Sequence, residues 1–333
     1  MKRKNILAIA VASLAMIACT QNEIGTPELN EVGFKAVVRK NTKAIITGTT
    51  FSKDLKFKVW GFYTQEGDFS ELTAAAAPNF MKGVEISYIE SEQKWRNETN
   101  HYYWPSQGKV GFYAFYPETL TPSFEWGTGA TIADYNLTPN NQLVDVMYAY
   151  NVGPDQAALP MVFNHALSQI EFRYQTNAAY SDVTVKINSV TFKGVDLTAD
   201  FNFNASAQNA TAEWSKNTTQ TSDYVYYNTL SDAAAETATG ANAATYGAPL
   251  LFIPQVASEA ELVFTVSMLN TDDITYTTTI NLDPELSAAN AATGSWVLGK
   301  KYIYTLNFKL DEINFAPSIT DWVDVVVETI DIE

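Results

Sequence analysis

Three kinds of side chain in this 333-residue sequence could do chemistry: one cysteine, two histidines and 37 carboxylates. Cys19 is the only thiol, so a disulfide within the chain is excluded by arithmetic. His101 in "ETNHYYWP" and His165 in "FNHALSQ" do not belong to an H-E-x-x-H helix, and one thiol with two scattered histidines builds no conventional zinc constellation. No G-x-S-x-G elbow exposes a serine nucleophile, and no glycine-rich loop cradles a phosphate. A glycosidase needs two carboxylates roughly 5 to 10 Å apart. The acidic residues here are spread over turns such as "TDDI" and "LDPEL", and "NTDD" at 270–273 reads as a turn rather than a calcium loop. The expectation is a protein that is not an enzyme, with no cofactor and no metal, whose histidines are structural.

The neighbours of Cys19 give its thiol a different chemistry. Met1, Lys2, Arg3 and Lys4 precede an apolar run from Ile6 to Ala18 that ends in small residues, the layout of a secretory signal. The run is too short for a comfortable membrane span, which needs about 20 residues. Ala18 directly before Cys19 resembles the lipobox of bacterial lipoproteins, with Met16 standing where that motif usually has Leu. The resemblance implies cleavage by signal peptidase II between Ala18 and Cys19 and a diacylglycerol on the Cys19 thiol. More than one acyl chain holds a protein to a membrane far more firmly than a single chain does. Residues 1–18 are thus expected to be a signal peptide and 19–27 a lipidated linker.

Cleavage there moves the net charge from −16 to −19. So acidic a surface argues against nucleic acid or anionic lipid as a partner. The 46% hydrophobic and 13% aromatic content supplies packed cores, so the charge does not signal disorder.

The elements that must carry any function are strands. "VGFKAVV" places Val32, Phe34, Ala36 and Val38 on one face and Gly33, Lys35 and Val37 on the other, a half-buried strand by period. Similar runs are "LKFKVWGFY", "GVEISYI", "KVGFYAFYP", "QIEFRYQ", "DVTVKINSVTF", "ELVFTVSML", "ITYTTTINL" and "KYIYTLNFKL". Each is rich in β-branched and aromatic residues and is bounded by Gly, Pro, Asn or Asp. The Ala-rich pieces at 73–79, 232–245 and 286–295 are broken by Pro78, Gly240 and Gly294 and read as loops. The chain is expected to be all-β, with one sandwich at 28–155 and a second at 160–333. Gly153, Pro154 and Pro160 punctuate the boundary. Within "HYYWPSQGKVGFYAFYP", Val110, Phe112 and Ala114 share one face while Tyr113 and Phe115 share the other. A strand apolar on both faces is a central core strand rather than a sugar-binding platform.

Five segments, in order, resemble the fimbrillin family, the subunits of protease-matured pili. They are "YWPSQGKVGFYAFYP", "LVDVMYAY", "MVFNHALSQIEFRY" with its Phe-x-His-x-x-Ser, "PLLFIPQ" with its Ile-Pro-Gln, and "SWVLGKKYIYTLNF" with its Trp-x-x-Gly-x-x-Tyr. The resemblance implies two transthyretin-like β-sandwiches in tandem. It also implies a lipoprotein precursor at the outer membrane and a surface fimbria after maturation, with a role in adhesion. An arginine-specific protease would remove the first strand, Val32, Phe34, Ala36 and Val38, by cutting after Arg39. Lys43 stands nearby where relatives carry arginine. A neighbouring subunit, possibly a second copy, would then fill the vacated groove. The donor strand would come from "ITDWVDVVVETIDIE", where Trp322, Val326, Ile330 and Ile332 share one parity and Val323, Val325 and Val327 the other. The alternative from another class is a surface lipoprotein that binds glycans on a sandwich face, which requires two or three exposed coplanar aromatics.

Overall fold

The computed structural model describes residues 30–39, 51–65, 77–125, 129–137, 144–153, 158–176, 183–205, 210–216, 222–227, 244–256, 259–268, 273–282, 295–308 and 313–321. Among them the regular elements are all strands, so the expected all-β class is borne out. The Ala-rich segments lie largely outside the described residues, although Ala244 and Thr245 open a strand.

The first half forms β1 (Phe34–Val38), β2 (Phe57–Thr64), β3 (Met81–Ile89), β4 (Lys94–Arg96), β5 (Lys109–Tyr116), β6 (Ser123–Glu125), β7 (Gly129–Asn136), β8 (Met147–Gly153) and β9 (Leu159–His165). Seven of these close into a ring in the order β1-β4-β3-β2-β5-β8-β9, with β9 returning to β1. Every pairing in the ring is antiparallel except the closing one, β1 with β9. Side-chain alternation explains why the ring is stable. On β5, Val110, Phe112 and Ala114 point into the ring and are fully buried, as are Phe57 and Val59 of β2. The opposite faces carry Tyr113, Phe115, Trp60 and Tyr148, which pack into a different core.

That second core spans the rest of the chain. Strands β10 (Ser168–Thr176), β11 (Val183–Val195), β12 (Thr198–Ala205), β13 (Ala210–Lys216), β14 (Ser222–Tyr227), β15 (Ala244–Phe252), β16 (Glu259–Met268), β17 (Ile274–Asn281), β18 (Lys300–Phe308) and β19 (Ile313–Asp321) follow. They form the sheets β15-β10-β18-β19 and β14-β11-β16-β17. The two sheets meet face to face through Phe172 and Phe192, 5.8 Å apart, and Phe264 and Phe308, 5.0 Å apart, which makes a sandwich. A further sheet, β13-β12-β7-β6, draws strands from both halves and covers the outer face of the ring. There the ring of Phe203 lies 4.6 Å from Tyr148 and 5.6 Å from Tyr113. The apolar second face of β5 is therefore a buried interface, as the core reading required.

The expected start of the second sandwich at 160 falls inside β9, which pairs with β1 and β8. Gly153 ends β8 and Pro160 is the second residue of β9, and these two strands are antiparallel neighbours in one ring, while Pro154 lies outside the described residues. The passage from ring to sandwich is instead the pair Ala166 and Leu167, between β9 and β10. It is bolted from several directions. The Trp214 indole N–H donates to the Ala166 carbonyl at 2.6 Å, the Gly299 amide to the Leu167 carbonyl at 3.0 Å, and the Ser168 hydroxyl to the Val297 carbonyl at 2.9 Å. Gly299 has φ +70°, a conformation that glycine adopts without strain.

The motif residues converge on this passage. His165 at the end of β9 is buried and hydrogen-bonds through Nδ1 to the buried carboxylate of Asp145, which comes from "LVDVMYAY". Gln255 of the Ile-Pro-Gln segment accepts from the Asp196 amide at 2.6 Å and donates to the Asp196 and Ile253 carbonyls, each at 3.0 Å. Its own carbonyl accepts from the Trp296 amide at 2.8 Å. Trp296 in turn donates through its indole to Tyr304 at 2.8 Å. Replacing Gln255 with Ala removes the side-chain partner of the Asp196 amide and of the Asp196 and Ile253 carbonyls, and a buried group that loses its hydrogen bond costs roughly 1 to 3 kcal/mol. Urea unfolding of Gln255→Ala should show a loss of at least about 2 kcal/mol, with an unchanged denaturant slope.

Candidate functional site at the first strand

The residues singled out around the first strand come together. Val32, Phe34, Ala36 and Val38 are 2%, 1%, 4% and 3% exposed and all face the ring interior. The Phe34 ring meets Phe112 edge-on at 5.2 Å. Phe51, the first residue described after Arg39, fills the same core, 4.8 Å from Phe163 and 5.3 Å from Trp95.

The two sides of β1 are held very unequally. Toward β9 the strand pairs along its whole length, from Phe34 with Leu159 to Val38 with Phe163. Toward β4 the ladder has a single pair, Phe34 with Trp95. Just before the strand, the Val32 amide donates to the Tyr102 carbonyl at 2.7 Å, and Asn30 accepts from the Trp104 amide at 2.9 Å. β1 is thus the seam at which the sheet closes.

Arg39 stands at the exit of the seam and is exposed. Its amide donates to the Phe163 carbonyl at 2.9 Å, and its guanidinium reaches the side-chain oxygen of Asn164 at 3.3 Å. The peptide bond that follows therefore begins where the last ladder contact ends. Cys19 and Ala18, and the donor residues Trp322, Val326, Ile330 and Ile332, lie outside the described residues. β19 ends at Asp321, the residue before Trp322.

A charged cluster at the entry of β1 had no signal in the sequence. Glu31 accepts from Lys94 Nζ at 2.5 Å and from His101 Nδ1 at 2.6 Å, and Arg96 Nε lies 3.7 Å away. Arg96 also binds Glu92 through both Nε and a terminal nitrogen, and Lys94 reaches Glu92 at 3.1 Å. Burial acts to raise the Glu31 carboxyl, but the hydrogen bonds from Lys94 and His101 and the charges of Lys94 and Arg96 outweigh it, and its pKa lies below the ordinary range. Glu92, bonded by Arg96 and Lys94, is pulled down to about 2. These residues come from the entry of β1, from β4 with the turn before it, and from the segment after β4, so no local pattern marks them.

His165 stays away from this cluster, in its buried pair with Asp145. No group of three or more metal-binding side chains occurs among the described residues. A sugar-binding shelf would need coplanar exposed aromatics. Among the described residues, exposed Tyr103, bridged to Glu31 in the segment after β4, stacks on His101 with ring centroids 6.5 Å apart, while exposed Tyr276 lies on β17 of the sandwich and stacks on the buried Phe264.

Two outcomes follow. Truncating Phe34 to Ala should cost about 3 to 5 kcal/mol in chemical unfolding, while Lys35→Ala on the exposed face should stay within roughly 0.5 kcal/mol. Because the Glu31 pKa is lower folded than unfolded, its contribution is present at neutral pH and is lost as pH falls through the depressed value. The stability gap between the wild type and Glu31→Gln should be full near pH 7 and shrink below about pH 4. Glu92 flanks both Lys94 and Arg96, and Glu98 flanks Arg96, so the control is Glu92→Gln over the same pH range.

Comparison with known proteins places the fold. Among solved structures the chain is similar to a fimbrial protein from Bacteroides vulgatus, with TM-score 0.61 and 16% identity over 88% of this chain and 100% of that one. It is also similar to proteins assigned to cell adhesion from Bacteroides ovatus and Bacteroides uniformis. The first has TM-score 0.55 and 16% identity, covering 90% of this chain and 99% of that one. The second has TM-score 0.50 and 16% identity, covering 88% and 100%. At such identities the likeness is one of fold. No curated protein matches the sequence. The family model described as fimbrillin-like matches residues 42–322, most of the chain, in agreement with the five motif segments. By that match the chain belongs to the fimbrillin-like family.

Proposed function

We propose that this chain is a structural subunit of a cell-surface fimbria with a role in adhesion. It is exported as a lipoprotein through Cys19 and assembled by removal of β1 and strand exchange. Family membership and the fold shared with fimbrial and adhesion proteins support the subunit role. The observation that carries the assembly step is the seam. β1 buries three apolar side chains and Val32 just before it a fourth; the strand is fully laddered on one side only and is followed by an exposed arginine.

While β1 is attached, its effective concentration in its own groove is on the order of millimolar or more, so a neighbour's strand cannot compete. A cut after Arg39 by an arginine-specific protease turns β1 into a separate peptide. Its departure leaves unpaired backbone on β9 and apolar pockets around Phe57, Phe112 and Phe163, the condition for strand addition. The tail beyond Asp321 offers two apolar faces to such a groove: Trp322, Val326, Ile330 and Ile332 on one, and Val323, Val325 and Val327 on the other. Each apolar side chain contributes roughly 1.5 to 3 kcal/mol on burial before entropy is subtracted. The partners are other pilus subunits, a second copy of this chain among them.

The test is to incubate residues 20–333 with an arginine-specific protease and follow SDS-resistant ladders together with the new N-terminus. A new N-terminus at Lys40 with ladder formation, both abolished by Arg39→Ala, is the expected result. A cut product that stays monomeric contradicts strand exchange.

A further inference from the structure

The charge cluster at the entry of β1 has a consequence for whatever strand replaces it. Lys94 and Arg96 sit on β4, and His101 sits on the segment that follows, so the three cationic or N–H-donating groups stay with the ring when β1 leaves. Glu31 is their resident ligand, placed one residue before the first inward side chain, Val32. Its side chain is only 18% exposed, and those of Lys94 and Arg96 are 25% and 10% exposed. Glu92 serves Arg96 and Lys94 together and Glu98 lies near Arg96, so what loss of Glu31 removes is the acceptor that Lys94 and His101 share. A charge-assisted hydrogen bond is about twice as strong as a neutral one, and a partly buried donor left without its acceptor is costly.

We propose that Lys94, Arg96 and His101 form a carboxylate subsite at one end of the β1 groove, and that the strand taking the place of β1 brings an acidic side chain to it. This rests on the reading that β1 is exchanged. The pattern the groove accepts is an acid adjacent to alternating apolar residues, with a small side chain admitted where Ala36 stands. The tail of a second copy supplies it on one face, in either of two directions. Antiparallel to β9, Glu328 is followed inward by Val327, Val325 and Val323; parallel to β9, as β1 lies, Asp324 is followed by Val325, Val327 and Thr329. The other parity fails the pattern. Read back from Glu333, it offers Ile332 and Ile330 and then sets the charged Glu328 in the small-residue position. The subsite thus chooses the face of the incoming strand, and the acid it takes reports the direction.

The experiment uses the full chain cut after Arg39, as wild type and as Lys94→Gln, with labelled peptides spanning residues 321–333 as the natural sequence, as Glu328→Gln and as Asp324→Asn. In parallel, the rate at which the cut first strand leaves its own groove is measured for the wild type and for Glu31→Gln. The expected result is that one of the two altered peptides binds the wild type roughly tenfold more weakly than the natural peptide, with the difference falling to about twofold or less on Lys94→Gln. Equal binding of all three peptides on the wild type overturns the subsite and leaves strand exchange standing. If no peptide binds, strand exchange through this tail fails and the departure rates decide the subsite. A Glu31→Gln strand leaving roughly tenfold faster than the wild-type strand upholds it, and equal rates overturn it.

Discussion

A sheet that closes on itself has no edge, and in this chain closure depends on the five residues of β1. Take those residues away and β9 exposes a row of unpaired backbone groups beside a core built from Phe57, Phe112 and Phe163. The same five residues are the least evenly held of the ring, laddered along β9 and tied to β4 by one pair. Closure thus rests on a strand held along its length by one neighbour and barely tied to the other. The ring also keeps a second core on its outer face, where Trp60, Tyr113, Phe115 and Tyr148 pack against the shared sheet. On the proposed reading, departure of β1 would uncover the inner core and leave the outer core between β2, β5, β8 and the shared sheet.

The join between ring and sandwich has the opposite character. Ala166 and Leu167 are fixed by an indole, a backbone amide and the hydroxyl of the residue that follows, and the Asp145–His165 pair sits beside them out of water. The segments that mark the family in sequence are largely the ones that build this join. Histidine, serine, glutamine and glycine there hold buried carboxylate, carbonyl and amide groups in place.

Much of the strand content was legible. β5, β11, β16 and β18 announce themselves because alternation, β-branching and aromatic residues coincide over eight or more positions. β12 alternates buried and half-buried residues without a break, but Asn, Asp and Ala at its positions lower its apparent propensity, and it was missed. β4, with three residues, is too short for any period. The strand at 32–38 was visible by its alternation, whereas the parallel pairing of β1 with β9 that closes the ring joins distant segments and leaves no local trace. The Glu31 cluster is hidden for the same reason. Glycine and proline near 151–160 suggested a domain boundary because the same residues punctuate tight connections within one sheet.

The central claim is that β1 can leave while the rest of the ring stays folded. Native-state amide hydrogen exchange of the intact chain in increasing, sub-denaturing urea tests it most directly. The account predicts that the amides of β1 exchange through a local opening, with a lower free energy and a shallower urea dependence than those of β5. If β1 and β5 exchange with one free energy and one slope, β1 opens only when the whole ring unfolds, and the account is wrong.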